Sequence, residues 1–229
     1  LPPLPPLLLL HGLAGHTGEW DDLAARLQAD GHRVVTYDAR GHGASTRRPR
    51  DMTRASFVAD AVTLIEHLSL APVVLVGQSL GGHTALLTAA AHPHLVDTLL
   101  LIEAGPGGAN PNLPSEIGTW LDNSPMPFVD RDMMVAAVAE LAERSYWDEW
   151  DRVRCPALVV RGANGTMRAA EPAEMRTRRP TATRTELIQD AGHDVHLDQP
   201  ERLYEAVRAF LAAHAMNAVR HKGSTWPES

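Results

Sequence analysis

Apolar residues fall along this chain in short runs, separated by turns and by stretches where they recur every three or four positions. Leu7–Leu10 and residues 73–76 are fully apolar, and 33–37, 98–102, 157–161 and 184–188 also have strand character. Short apolar runs suit parallel strands buried on both faces. From about Glu19, Trp20, Leu23, Ala24 and Leu27 share one helical face, and Gly31 is the stop. Thr53 can cap a helix whose inner face carries Phe57, Ala61, Leu64, Ile65 and Leu68. Residues 83–87 continue a third helix, and Gln199-Pro200 opens a last one with Leu203, Val207, Phe210 and Leu211 facing in. Strands alternating with helices predict an α/β domain, a mainly parallel, doubly wound sheet with helices on both faces.

Between residues 105 and 150 the periodicity breaks down. Pro, Gly and Asn come first, then a helical segment over 132–143. Trp120, Met126, Phe128, Met133, Met134, Tyr146, Trp147 and Trp150 gather here. The stretch reads as a cap inserted over the sheet, with Trp120, Phe128 and Trp147 as candidate substrate contacts. An extra helical layer packing its aromatics on the core is the other reading. Residues 1–104 and 151–215 then form the core, 105–150 the cap, and 216–229 a flexible tail.

Composition narrows the function. Lys and Arg number 21 against 28 Asp and Glu, for a net charge of −7, and no basic stripe is present, which argues against nucleic acid. Arg47, Arg48, Arg50 and Arg54 read as a solvated face around a loop. No apolar run approaches a membrane span. Residues 1–10 contain four prolines and no basic n-region, so they do not read as a signal peptide; the chain does not begin with Met. Cys155, the only cysteine, permits no internal disulfide and fits a cytoplasmic location. A small molecule is the expected partner.

The candidate chemistry starts at Gly77-Gln78-Ser79-Leu80-Gly81-Gly82, between an apolar strand and a helix. G-x-S-x-G in that setting reads as a nucleophile elbow, a turn so tight that its neighbours must be small. It exposes the serine hydroxyl beside the first N–H groups of the helix. Serine needs a base. His193, in Asp190-Ala191-Gly192-His193-Asp194, lies in a loop between the last strand and the last helix. His196 is a nearby competitor. An oxyanion needs fixed donors. The Leu80 N–H follows the nucleophile directly, and Leu13 N–H, with Ala14 second, can supply another from the loop after residue 10. Residues 11–15, Ser79, Glu103, Asn164 and His193 all follow strands, at the sheet edge where such folds bind ligands.

His11-Gly12, Asp38-x-Arg40-Gly41-His42-Gly43-x-Ser45, Gly77-x-Ser79-x-Gly81-Gly82 and Gly192-His193 occur in the order and spacing of the α/β-hydrolase superfamily, which this chain resembles over residues 7–213. The resemblance implies that fold, a Ser–His–acid triad and hydrolysis of an ester-like bond. It implies a structural role for residues 38–45; His11 reads, from its place in the loop, as a brace and not a base. The resemblance also implies an antiparallel strand pair ahead of His11, where this chain has only ten residues. The triad acid usually follows the strand corresponding to 157–161, but here the sequence is Gly162-Ala163-Asn164-Gly165-Thr166, without a carboxylate. Some members of the superfamily place the acid one strand earlier, which assigns it to Glu103. Otherwise Glu103 is a strand-end residue and a dyad does the work. Asp190 and Asp194 sit too close to His193 to be favoured.

No metal or cofactor is expected. His193-x-x-His196 with Asp194 and Asp198 lacks an H-E-x-x-H pattern, the glycines at 41 and 43 make no dinucleotide fingerprint, and the elbow lacks a P-loop lysine. The expected activity is that of a serine hydrolase acting on an ester, thioester or lactone of a small apolar substrate. A slow or non-catalytic binding protein, or a C–C bond hydrolase, is the alternative.

Overall fold

A computed structural model describes residues 4–108, 110–123 and 131–222, with side chains described through residue 215. Six parallel strands form one sheet: β1 (Leu7–Leu10), β2 (Val34–Thr36), β3 (Val73–Gln78), β4 (Val96–Ile102), β5 (Ala157–Gly162) and β6 (Thr183–Ile188), in the order β2-β1-β3-β4-β5-β6. Leu8 aligns with Leu75, Leu75 with Leu99, and Leu99 with Ala157.

Side chains alternate across a strand, so each strand feeds two cores. Leu8, Leu75, Leu99 and Val159 point to one face, against α2 (Arg54–His67), α3 (Ser79–Ala91) and α6 (Trp147–Arg152) through Ala61, Ile65, Leu86 and Trp150. Leu9, Val76, Leu100 and Val160 point to the other, against α1 (Asp21–Ala29) and α9 (Pro200–Lys222) through Leu23, Leu27, Leu203 and Val207. The α/β architecture expected from the alternating pattern is therefore present, and the Thr53 hydroxyl caps α2 by accepting the Ser56 N–H.

Several elements depart from the sequence reading. The first helix opens as a 3-10 turn over Thr17–Trp20 before α1. Among its described residues the 105–150 stretch carries three helices instead of one segment: α4 (Leu113–Asn123), α5 (Arg131–Glu143) and α6. Two short helices were not anticipated, α7 (Glu171–Arg178) and α8 (Val195–Asp198). Helix α9 continues past residue 215, because no glycine or proline interrupts it between Pro200 and Gly223. Arg54 is not part of a solvated face: it is buried, its Nη2 donates to Ala137 O, and its guanidinium lies over the Phe57 ring. A third core joins Phe57 and Leu80 to Leu121, Met134 and Val138, seating α4 and α5 above the carboxyl end of the sheet. Cys155 is buried, and its thiol is pushed up to about 11 by that burial. Among the described residues, no helix is long and apolar enough to cross a membrane.

Candidate active site

Strand β3 runs directly into α3 through Ser79, whose φ is +49°. A non-glycine residue in this region costs about 1–3 kcal/mol and persists only where its surroundings hold it. Those surroundings are tight. A Cβ on Gly77 would strike the backbone of Gly81 and Gly82, and one on Gly81 would strike the carbonyls of Leu10 and His11. The helix start is thereby pressed onto the end of β1. Leu80 lies in the first turn of α3, where amides lack an intrahelical acceptor.

The loop after β1 passes just as close. A Cβ on Gly12 would sit 3.3 Å from the Ser79 Cβ. In this loop the Ala14 N–H donates to His42 Nε2 at 3.1 Å and the Gly15 N–H to Gly12 O at 3.2 Å. Among the described residues no such bond engages the Leu13 N–H, and Leu13 lines the cavity beside Ser79 and Leu80, whereas the Ala14 N–H is already taken by His42.

Two buried histidines hold this loop. His11 Nε2 accepts the Ala39 N–H at 2.9 Å and its Nδ1 donates to Gly12 O at 2.8 Å. His42 Nδ1 donates to Arg40 O at 2.8 Å while its Nε2 accepts from Ala14. Each ring is thus fixed as a neutral Nδ1–H tautomer. Burial lowers both, His42 to about 4. Below pH 6.5 the unfolded chain takes up a proton that folded His42 refuses. The stability of the neutral ring is therefore complete above about 6.5 and is lost as pH falls toward about 4, on the order of 3 kcal/mol in all. Urea unfolding between pH 7 and 4.5 should give a steeper loss for the wild type than for His42→Phe. Parallel curves would contradict this role. Residues 38–45 are likewise structural: Asp38 accepts the Thr17 and Ala44 N–H groups, each at 2.8 Å, and Arg40 donates to the two Asp60 oxygens through Nε and Nη2.

Glu103 ends the turn after β4 with φ +49° and a fully buried side chain. Its Oε1 accepts the Gly162 N–H at 2.9 Å, and its Oε2 accepts those of Thr166 and Met167 at 2.7 and 3.0 Å. The loop that lacks a carboxylate of its own therefore wraps the carboxylate of the neighbouring strand. Gly165 makes this possible, because a Cβ there would overlap the Glu103 carboxyl group. Burial pushes Glu103 up, but the bonds from His193, Met167 and Gly162 together outweigh it and hold the carboxyl below its ordinary value. His193 Nδ1 lies 3.4 Å from Glu103 Oε2 and 2.8 Å from Thr166 Oγ1.

The His193 loop is pinned from three sides. Gln78 Nε2 donates to His193 O at 3.1 Å and Asp194 Oδ1 at 3.2 Å, Asn164 N donates to Ala191 O at 2.9 Å, and Gly192 N donates to Asp198 Oδ2 at 2.7 Å. His196 lies elsewhere, buried and stacked on Trp20 with 4.6 Å between centroids. Asn164 is exposed and serves through its backbone.

Ser79, His193, Glu103, Leu13 and Leu80 line one cavity of about 530 Å³ under the cap. Ser79 and His193 are not hydrogen-bonded to each other in this structure; such contacts often tighten only with substrate bound. Leu113, Ile117, Val138, Leu141 and Met167 make much of the wall apolar, and Trp120 lines it from α4. Trp147 does not line it: the Arg178 guanidinium covers its ring, which packs against the core around Trp150. Phe128 lies outside the described residues.

Three polar residues here escaped the sequence reading. Gln78 was visible only as the variable position of the elbow, although a polar residue ending a buried strand is a signal. Thr166 gave none. Glu171 is buried at the start of α7, where its Oε1 accepts the Gly107 N–H at 2.6 Å and braces the entry to the cap.

Comparison with known proteins places the family and the fold. The family model described as alpha/beta hydrolase fold matches residues 5–131. The sn-1-specific diacylglycerol lipase ABHD11 of Mus musculus is 30% identical over 256 aligned residues, covering 91% of this chain and 81% of the mouse protein. The same-named protein of Xenopus tropicalis is 38% identical over 112 residues, 48% of this chain and 34% of its own length. A thermophilic esterase from Thermogutta terrifontis superposes with a TM-score of 0.76 at 26% identity, covering 91% of this chain and 90% of that one. The enol-lactonase from Burkholderia xenovorans LB400 shares the fold, with a TM-score of 0.75 at 22% identity over 91% of this chain and 92% of that one.

Proposed function

This chain belongs to the α/β-hydrolase family, and from that premise we propose that it is a serine hydrolase cleaving an ester, thioester or lactone through an acyl-enzyme. The observation that carries the reading is the meeting of His193 with buried Glu103 on the wall of the cavity that Ser79 lines. His193 Nε2 takes the Ser79 proton as Oγ attacks the carbonyl carbon. The oxyanion is held by the N–H groups of Leu80 and Leu13. His193 returns the proton to the leaving oxygen or sulfur, takes one from water as the water oxygen attacks the acyl carbon, and gives that proton to Ser79 Oγ as the C–Oγ bond breaks and the acid leaves.

The binding-protein alternative rested on a missing acid. The loop 162–167 donates three backbone N–H groups to Glu103 instead, which supports Glu103 in that role and the enzyme reading over the binding one. A C–C bond hydrolase could use the same groups, so substrates decide.

The apolar wall favours an acyl chain, and the name of the mouse relative puts acylglycerols in the panel. Each methylene buried contributes about 0.8 kcal/mol, or roughly fourfold in kcat/KM. Across p-nitrophenyl esters from acetate to octanoate, kcat/KM should climb at close to that rate before levelling as the cavity fills. A series that is flat or falls from acetate would rule out the apolar acyl substrate.

A further inference from the structure

We propose that Thr166 is the immediate partner of His193 Nδ1 and that Glu103 acts on the imidazole through the Thr166 hydroxyl. This rests on the reading of Ser79 and His193 as nucleophile and base. Four distances carry it. Thr166 Oγ1 is 2.8 Å from His193 Nδ1, a full-strength hydrogen bond. The direct contact from Nδ1 to Glu103 Oε2 is longer, at 3.4 Å. Thr166 Oγ1 lies 3.4 Å from the same Oε2, and the Thr166 backbone N–H donates to that oxygen at 2.7 Å.

Of the two acceptors facing it, the Nδ1 proton finds the shorter contact in the hydroxyl. An ionised carboxylate only accepts, so the Thr166 O–H points at Glu103 and its lone pairs face His193. The chain then reads His193 Nδ1–H to Thr166 Oγ1, and Thr166 O–H to Glu103 Oε2. It leaves Nε2 unprotonated for Ser79. No proton leaves His193 when Nε2 is charged; the polarised hydroxyl stabilises the cation and holds the ring. Thr166 is thus a positioning residue, fixed by its own backbone bond to the group it relays.

Valine matches threonine in shape without the hydroxyl, and Thr166 is exposed, so Thr166→Val should fold as the wild type. On p-nitrophenyl butyrate its kcat should fall about 10–100-fold with KM within about twofold, and Ser79 phosphonylation by a fluorophosphonate should slow by the same factor. Thr166→Ser, which keeps the hydroxyl, should recover kcat to within about threefold. The double variant Thr166→Val/Glu103→Gln should be no more than about twofold slower than Glu103→Gln alone, because the two share one path to His193. Wild-type kcat in Thr166→Val, an effect on KM alone, or multiplied losses in the double variant would each overturn the relay. If wild-type Ser79 is itself unreactive toward the probe, the serine-hydrolase reading fails. If it reacts and Thr166→Val reacts equally fast, only the relay fails.

Discussion

Ser79→Ala should abolish hydrolysis while the protein stays folded, with kcat on p-nitrophenyl butyrate lower by about 10⁴–10⁶-fold. The loss is large because the covalent route disappears and the groups around it have nothing to act on. His193 has no proton to take, and the Leu13 and Leu80 amides face only the uncatalysed attack of water. The fold should survive because the elbow is held by the close approach of Gly77 and Gly81 to neighbouring backbone, which alanine leaves intact. The φ of +49° strains alanine as it strains serine. Thermal unfolding should therefore stay close to wild type. Activity within tenfold of wild type in a purified variant would remove Ser79 from the chemistry.

Glu103→Gln should lower both activity and stability. The carboxylate receives three backbone N–H donors and the Thr166 hydroxyl, with His193 Nδ1 3.4 Å away. A glutamine amide has one acceptor oxygen and turns an NH₂ toward at least one of those donors. A buried donor left unpaired costs about 1–3 kcal/mol, and for a chain of this size each kcal/mol lowers Tm by roughly 2–4 °C. The variant also loses the charge that stabilises the imidazolium, so kcat should fall by about 10³–10⁴-fold. The same carboxylate makes a pH signature. Its folded pKa is depressed, so its contribution is present above the ordinary Glu value of about 4.5 and is lost as pH falls through the lower folded value. Acid unfolding below about pH 4.5 should be shallower in Glu103→Gln. A kcat within a few-fold of wild type would mean that His193 works without this acid.

Much of this site could be read from spacing. The glycines around Ser79 and the glycine before His193 are backbone requirements that leave a fixed pattern, and strands buried on both faces leave runs that periodicity detects. The acid was legible only as a carboxylate at a strand end. What holds that carboxylate in space is Gly165 and three main-chain N–H groups, whose side chains carry no signature of the role. Thr166 shows the same limit, since its hydroxyl matters through a turn that returns to β4 from 63 residues away. The cap was legible as an interruption but not as three helices. Helix α4 begins among Asn and Pro residues, which read as loop, and its buried face rests on Met134 and Val138 across a long insertion. Helix α7 is short and largely charged, so it shows little apolar face; its fixed points are Glu171 and Met175, both buried by distant partners. Trp147 was misplaced because an aromatic in a cap stretch looks the same whether it faces a ligand or an arginine.

Activation of Ser79 by His193 is tested by intact-mass analysis and peptide mapping after exposure to a fluorophosphonate at neutral pH. One adduct per chain, on Ser79, with labelling lost in folded His193→Ala, is the result an assembled site gives. A folded wild-type protein that takes up no probe, or takes it up on another residue, would contradict it.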